Sequence, residues 1–283
     1  MTRTTRTALA VALLAALGVA LIRVLAFVPS IHHRDAVVLS DFLLLNRPST
    51  YGLLGTIAGS ADPAPYGLFG VLLIGIALWR GRVRVAAAAA LVLGGAAVTT
   101  DNILKPALAA HRYDSVLTFH QIPDGSFPSG HATASMALAL CAVMVAAPRF
   151  RPYVAALGAL FAIAVSYSFL ALGWHYPSDV LGGYLVAGTW TALAVAALSA
   201  ADARWPARTG REAAGRLLSR VQARALTGLV AGVVLAVVVA VAATAPERAL
   251  DFVRVHALFA VGAGAIALAS LAVAGVLAAL LRD

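Results

Sequence analysis

Eight apolar runs follow one another along this chain, and each is long enough, or nearly long enough, to cross the hydrocarbon core of a membrane. A spanning helix needs about 17–25 predominantly apolar residues. The chain has 283 residues, and its 61% of hydrophobic residues is more than soluble domains carry. The sequence therefore predicts an all-α, polytopic membrane bundle. The runs are 8–28, 64–79, 85–104, 131–147, 153–173, 179–200, 225–244 and 257–281.

The predicted bundle has three parts. Residues 1–200 hold the first six runs and form the core, residues 201–224 form a basic loop, and residues 225–283 add two further membrane helices. Residues 30–60 are too polar to span, but the stretch DAVVLSDFLLL has an apolar face, which predicts an amphipathic helix at the membrane surface. The first run also resembles a signal peptide, but it continues past the small residues at 18–20 and is expected to remain as a helix.

The positions of the charges predict the orientation. The net charge is +9, yet the basic residues stand in short stretches between apolar runs, which is typical of membrane topology and not of nucleic-acid binding. Alternate loops carry fourteen basic residues on one side and six on the other. The richer side is expected to be cytoplasmic. We therefore predict an inner (plasma) membrane protein with both termini inside and its histidines facing outward.

Cysteine and histidine patterns give no metal site. Cys141 is the only cysteine and lies inside an apolar run, so neither a disulfide framework nor a cysteine metal site is possible. His32 and His33 are adjacent but lack a third ligand. No metal or other cofactor is predicted.

Three polar stretches stand at helix ends on the predicted outer side. They are KPALAAHR at 105–112, PSGH at 128–131 and HYPSD at 175–179. Neighbouring helix ends at one membrane depth can bring them together. Two cations and a helix N-terminus suit a phosphate, because the free N–H groups and the helix dipole both favour an anion.

The histidines in these stretches add reactive groups. A histidine beside a carboxylate can act as a nucleophile, because the carboxylate orients the ring and stabilises the imidazolium. His175 is expected just outside a helix, within reach of Asp179. A second histidine, such as His131, can protonate a leaving oxygen.

These stretches resemble the three motifs of the type 2 phosphatidic acid phosphatase (PAP2) superfamily, which are Lys-x6-Arg-Pro, Pro-Ser-Gly-His and Ser-Arg-x5-His-x3-Asp. The resemblance covers residues 100–180 closely and 1–200 in helix arrangement. It implies a six-helix core and a metal-independent phosphatase with a phospho-histidine intermediate. It further implies His175 as nucleophile, Asp179 as its partner and His131 as acid. The residues implied to hold the phosphate are Lys105, Arg112, Ser129 and Gly130.

Two positions depart from the family motifs. Tyr113 replaces the proline of the first motif, and Phe169 replaces the arginine of the third. A phosphate-binding arginine contributes about 2–4 kcal/mol of electrostatic stabilisation, so its loss is expected to slow turnover. Three arginines elsewhere are candidates for a substitute cation, namely Arg23, Arg34 and Arg47.

The expected function is hydrolysis of a lipid phosphate at the extracytoplasmic face. The partners would be the lipid phosphate substrate and the bilayer, with the oligomeric state left open. Polyprenyl and glycerophospholipid phosphates, as monoesters or diphosphates, all remain open, with a monoester favoured because one cation is missing. A phosphotransferase on the same scaffold and a non-hydrolysing lipid-phosphate-binding protein are the alternatives. Two structural interpretations stand beside these: Lys105 pairs with Asp101, and Trp174 and Tyr176 are interfacial aromatics.

Overall fold

The computed structural model describes residues 1–118, 120–206, 251–252 and 254–281, and all regular structure in these ranges is helical. A π-helix, Thr99–Leu104, joins the fifth and sixth α-helices. The α-helices are α1 Arg3–Leu25, α2 Pro29–Leu43, α3 Tyr51–Gly59, α4 Pro63–Trp79, α5 Val83–Val98, α6 Lys105–Leu108, α7 Gly130–Val145, α8 Arg151–Ala171, α9 Pro177–Arg204 and α10 Ala257–Leu280.

The helices confirm the polytopic membrane bundle. In the described part of the chain, six helical segments are long and apolar enough to span a membrane, and α3 with α4 adds a seventh that bends by 46°. Every predicted run within the described residues overlaps one of these segments, with ends that differ by up to a few residues, whereas the run at 225–244 lies outside the described residues.

The segment predicted to lie at the membrane surface folds as two helices, α2 and α3. The apolar face of α2 buries Ala36, Leu39 and Phe42 completely and packs mainly against α8 and α10. Because α3 continues into α4 across the bend, only α2 keeps the character expected of a separate amphipathic helix. Its position at a membrane surface stays a prediction.

Helices α7, α8 and α9 form the centre of the bundle. Helix α1 runs antiparallel to α9, since Thr2 contacts Ser199 and Gly18 lies against Leu185. The hydroxyl groups inside this centre are paired. Tyr184 on α9 hydrogen-bonds Ser166 on α8 at 2.8 Å, and its hydroxyl also donates to the carbonyl oxygen of Ala162 at 2.9 Å. The two helices that carry the third motif are therefore fixed to each other within the apolar core.

The last described helix is also attached to this centre. Ser270 of α10 donates a hydrogen bond to the carbonyl oxygen of Ala159 at 3.1 Å, and Tyr167 donates to that of Ala263 at 2.6 Å. Before α10 begins, His256 Nδ1 lies 2.5 Å from Asp41 Oδ1 on α2. Helix α10 therefore packs on α8 and α2 as part of one bundle.

Gly183 allows α9 to approach the start of α7. A Cβ atom on Gly183 would lie 2.7 Å from the carbonyl oxygen of Ser129 and 2.9 Å from Ala132 Cβ. Since one of these atoms is backbone, we expect Gly183→Ala to push the helices apart and to lower the unfolding free energy by about 1–3 kcal/mol. Gly188→Ala is the matched control, because its Cβ would meet only Val273 Cγ1, at 3.5 Å. Equal thermal unfolding of the two variants in detergent would contradict this expectation.

Candidate active site

Lys105 is positioned by the π-helix at the end of α5. Its backbone N–H donates to the carbonyl oxygen of Thr100, five residues back. Pro106 follows and has no N–H to continue an α-helical pattern, which favours an irregular turn here. The ammonium of Lys105 lies 2.7 Å from Asp101 Oδ1 across one turn, as the sequence spacing indicated.

The start of α7 brings the second stretch to Lys105. Ser129 caps the helix, since its Oγ accepts a hydrogen bond from the N–H of Ala132 at 3.3 Å. A Cβ atom on Gly130 would lie 3.2 Å from Lys105 Nζ, so the ammonium rests against the bare first turn. The N–H groups of Gly130 and His131 belong to the first turn of α7, where the backbone donors have no partner within the helix. The first and second motifs therefore meet.

The third stretch joins them at the start of α9. The backbone N–H of Ser129 donates to the carbonyl oxygen of Asp179 at 3.0 Å, which ties α7 to α9. His175 Nδ1 lies 3.5 Å from Asp179 Oδ2, and the same oxygen accepts the N–H of Tyr176 at 3.0 Å. The Asp179 side chain is completely buried. Nδ1 forms no hydrogen bond in this arrangement, and a proton on Nδ1, the nitrogen nearer the carboxylate, would leave the lone pair of the ring on Nε2.

Arg112 lies in a buried network with Asp179 and not in an open cleft. Its side chain is only 4% exposed, and Nη2 lies 2.5 Å from Asp179 Oδ1. The guanidinium also donates to Ser126 Oγ at 2.9 Å and to Ser178 Oγ at 3.1 Å. In this arrangement Arg112 orients the carboxylate behind His175, and its contact with phosphate stays a prediction.

Asp35 of α2 is a second carboxylate in this network, and it lies outside all three motifs. It accepts hydrogen bonds from the N–H of Ser178 at 3.0 Å and from its hydroxyl at 2.5 Å, and it lies 3.8 Å from Arg112 Nη1. Burial raises the pKa of Asp35 to about 7, in spite of the hydrogen bonds from Ser178. Asp35 therefore gains a proton as the pH falls through neutrality, which reduces the negative charge beside Arg112.

The aromatic residues around His175 differ from the interfacial prediction. Trp174 is 40% exposed, as expected of an interfacial residue, but Tyr176 is completely buried. The Tyr176 hydroxyl donates to the carbonyl oxygen of Arg112 at 2.8 Å, and its ring lies 4.2 Å from the guanidinium carbon. The interfacial interpretation of Tyr176 is therefore wrong, because the ring supports the buried arginine.

Phe169, which replaces the family arginine, lies against both histidines. The ring centroids of His131 and His175 are 6.3 Å apart, and the Phe169 centroid lies 5.8 Å from the first and 5.3 Å from the second. The side chain is completely buried. An apolar ring thus occupies a place beside the two reactive groups.

The candidate substitute cations lie elsewhere. Arg34 and Arg47 are exposed on the surface. Arg23 is buried, donates to the carbonyl oxygen of Leu108 and stacks 3.9 Å above the ring of Phe27. Neither set of contacts places a guanidinium at Phe169.

Further pairs of a histidine and a carboxylate lie at this end of the bundle, and two of them are close to the three motif stretches. His131 Nε2 lies 2.9 Å from Asp62 Oδ1, a residue that the motifs do not include. His33 Nδ1 lies 3.0 Å from Asp114 Oδ2. His32 instead packs edge-on against Tyr176, with ring centroids 5.3 Å apart, so the adjacent histidines point to different neighbours.

Comparison with known proteins identifies the family and a similar fold. Residues 83–202 match the family model of the PAP2 superfamily. The fold is similar to the crystal structure of the first transmembrane PAP2 type phosphatidylglycerolphosphate phosphatase from Bacillus subtilis, with a TM-score of 0.56 and 17% sequence identity over 70% of this chain and 99% of that one. No curated protein sequence matches the chain. The family match contains all three motif stretches, and this part of the chain belongs to the PAP2 superfamily.

Proposed function

We propose that this protein is a lipid-phosphate phosphatase that works through a phospho-histidine intermediate. The observation that carries the proposal is the pair of His175 and Asp179, with Nδ1 and Oδ2 3.5 Å apart, beside the ring of His131 at a centroid distance of 6.3 Å. A nucleophile with its orienting carboxylate and a second histidine on the other side of a phosphate supply what two-step transfer requires.

In the first step, Nε2 of His175 attacks phosphorus and the bond between phosphorus and the lipid oxygen breaks. His131 donates its proton to that oxygen, and the lipid alcohol leaves. Asp179 stabilises the positive charge on His175. In the second step, water attacks phosphorus, neutral His131 accepts a proton from the water, and the P–N bond breaks to release inorganic phosphate. Both histidines return to their starting forms without a redox or metal step.

The phosphate is held by groups from the first two motifs. Lys105 supplies the positive charge that lies against the first turn of α7. The N–H groups of Gly130 and His131, which have no partner within the helix, would donate to the phosphate. Ser129 contributes by capping the turn and fixing its direction. Arg112 acts through Asp179, and its own approach to the phosphate would require exchange of its contact with Ser178.

The proposed substrate is a phosphomonoester or diphosphate of a polyprenyl lipid or a glycerophospholipid. The site lies at the ends of helices that are long enough to span a membrane, so a phosphate at headgroup depth reaches it while the chain stays among apolar residues. The distribution of basic residues supports an extracytoplasmic site with both termini in the cytoplasm. The similarity of fold to a phosphatidylglycerolphosphate phosphatase supports a lipid substrate.

Phosphate release from a panel of lipid phosphates tests this proposal. The protein is purified in detergent and assayed in EDTA, next to a variant in which His131 and His175 are both glutamine. We expect EDTA-resistant release by the wild type and none by the double variant. Loss of release in EDTA with recovery on adding a metal ion would contradict the metal-independent mechanism.

A second function is favoured by Phe169, whose buried ring contacts both histidines where the family has a cation. A protein that binds lipid phosphates without hydrolysing them could keep the fold and lack the positive charge of the third-motif arginine. Substrate binding with no release from any lipid in the panel would support that function. Transfer of the phosphoryl group from His175 to an added alcohol instead of to water would support the phosphotransferase.

A cation introduced at position 169 tests whether the missing arginine limits hydrolysis. We expect Phe169→Arg to raise kcat/KM for a lipid diphosphate at least about tenfold over Phe169→Met, because a guanidinium beside the phosphate offsets its charge. Phe169→Met is the matched control, since it also removes the ring but adds no charge. Equal kcat/KM for the two variants would show that the missing arginine does not limit activity.

A further inference from the structure

We propose that Asp62 is a positioning residue that favours the protonated form of His131 for its role as the acid. The inference rests on the proposed function and deepens it, because Asp62 lies outside the three motifs and outside the family match. The contact that identifies it is the 2.9 Å separation of Asp62 Oδ1 and His131 Nε2. At this distance, a protonated ring donates a charge-assisted hydrogen bond to the carboxylate.

The turn between α3 and α4 places this carboxylate. The backbone N–H of Asp62 donates to the carbonyl oxygen of Gly59 at 3.1 Å, and Pro63 begins α4 directly afterwards. A Cβ atom on Gly59 would lie 3.3 Å from Asp62 Oδ2, so the lack of a side chain there leaves room for the carboxylate. The two helices are bent by 46° at this turn, and the Asp62 carboxylate there contacts His131 in the first turn of α7.

The other neighbours of His131 disfavour a charged ring. The rings of Phe169 and Trp174 lie with centroids 5.8 Å and 5.3 Å from it, and they supply no negative charge. Burial is the largest effect that disfavours the charged ring, and the charges of His175 and Lys105 act in the same direction. In the described part of the chain, Asp62 is therefore the carboxylate that offsets this environment.

Asp101 does not replace Asp62, because its Oδ1 is already 2.7 Å from the ammonium of Lys105. Asp179 faces Arg112 and the far nitrogen of the His175 ring. Asp101 and Asp179 are thus paired with Lys105 and Arg112, and Asp62 is the carboxylate that pairs with His131.

The hydrogen bond between Asp62 and His131 can break when the substrate binds. Its side chain is 51% exposed, so the carboxylate can turn into water once the bridging oxygen of the substrate takes the proton of Nε2. After the lipid alcohol leaves, neutral His131 accepts a proton from the attacking water and again becomes a partner for Asp62. Asp62 thus favours protonation of His131 before the substrate binds, and it does not touch the reacting phosphorus.

Asp62→Asn tests the proposal, because asparagine caps a helix as well as aspartate does but carries no charge. The measurement is the pH dependence of kcat/KM. We expect the basic limb to move about one pH unit lower, as for loss of a neighbouring opposite charge. Activity above that limb falls about tenfold, while activity on its acidic side is kept, and Asp62→Glu restores the wild-type profile.

Asp124→Asn is the matched control. Asp124 pairs with His111 at 2.9 Å on the surface, with both side chains more than half exposed and neither among the reactive groups. Its profile is expected to match that of the wild type. A uniform loss of activity in Asp62→Asn at all pH values would indicate a structural role only and would overturn the proposal, as would an unchanged profile.

A second measurement does not depend on turnover. NMR spectra of the protein labelled at histidine identify the His131 ring as the signal missing from His131→Gln. In Asp62→Asn we expect this signal to titrate at lower pH than in the wild type. If the wild type releases no phosphate, the proposed function fails, and the titration alone still decides the role of Asp62. An unchanged titration overturns the inference.

Discussion

Replacement of His175 by alanine is expected to lower phosphate release by about 10⁴-fold or more, the scale of loss when a covalent nucleophile is removed. Nothing else in the described part of the site can replace it, because His131 lacks the buried carboxylate that Asp179 presents to Nδ1 of His175. Substrate binding is expected to change little, since Lys105 and the first turn of α7 remain in place.

The measurement is steady-state release of phosphate together with substrate affinity in detergent. His111→Ala is the control, because that ring is exposed and pairs only with Asp124. A loss of less than about tenfold in His175→Ala would exclude covalent catalysis by this residue. Equal losses in both variants would point to a general effect of removing a ring from this face.

Replacement of Arg112 by methionine is expected to destabilise the protein by about 3–5 kcal/mol, because it leaves a buried carboxylate without its cation. The Asp179 side chain is completely buried and that of Asp35 is only 9% exposed, so water cannot take the place of the guanidinium. Activity is expected to fall as well, since Asp179 no longer has a fixed direction toward His175.

The unfolding free energy in a mild detergent, titrated with a denaturing one, measures this effect. Arg84→Met is the matched control, because Arg84 forms an ion pair of 2.6 Å with Asp202 on the surface, where a pair contributes at most about 1 kcal/mol. The double variant Arg112→Met, Asp179→Asn is expected to recover part of the lost stability. Equal losses in the two single variants would show that the buried network contributes no more than the exposed pair.

The helices and the meeting of the three motifs could be predicted from the sequence, because both depend on local patterns. An apolar run of spanning length is expected to form a helix, because its backbone N–H and C=O groups must pair with each other in the hydrocarbon core. Lys105, His131 and His175 each stand at a helix end on one side, and a compact bundle brings such ends together. The seven-residue spacing of Lys105 and Arg112 did not reveal that one faces the bare turn of α7 while the other is buried.

The carboxylates that complete the site could not be predicted in the same way. Asp35 and Asp62 belong to separate segments before the family match, and their roles arise only when α2 and the α3–α4 turn pack beside α9 and α7. The signal available for Asp62 was local, an aspartate before a proline, and it predicts a helix cap alone. Tyr176 shows the opposite error, since an aromatic residue at a helix end is typical of a membrane interface but here lies under an arginine.

The backbone hydrogen bond from Ser129 to Asp179 has a consequence for substrate choice. It joins the turn proposed to receive the phosphate to the turn that carries Asp179, the proposed partner of the nucleophile. The position of a lipid tail among the helices is therefore expected to leave the distance between these two turns unchanged. Lipids with very different tails should then react at similar rates once bound. Lipids with different tails are expected to differ in KM and not in kcat. Selectivity would then be set by the binding of the lipid from the bilayer and not by the rate of phosphoryl transfer.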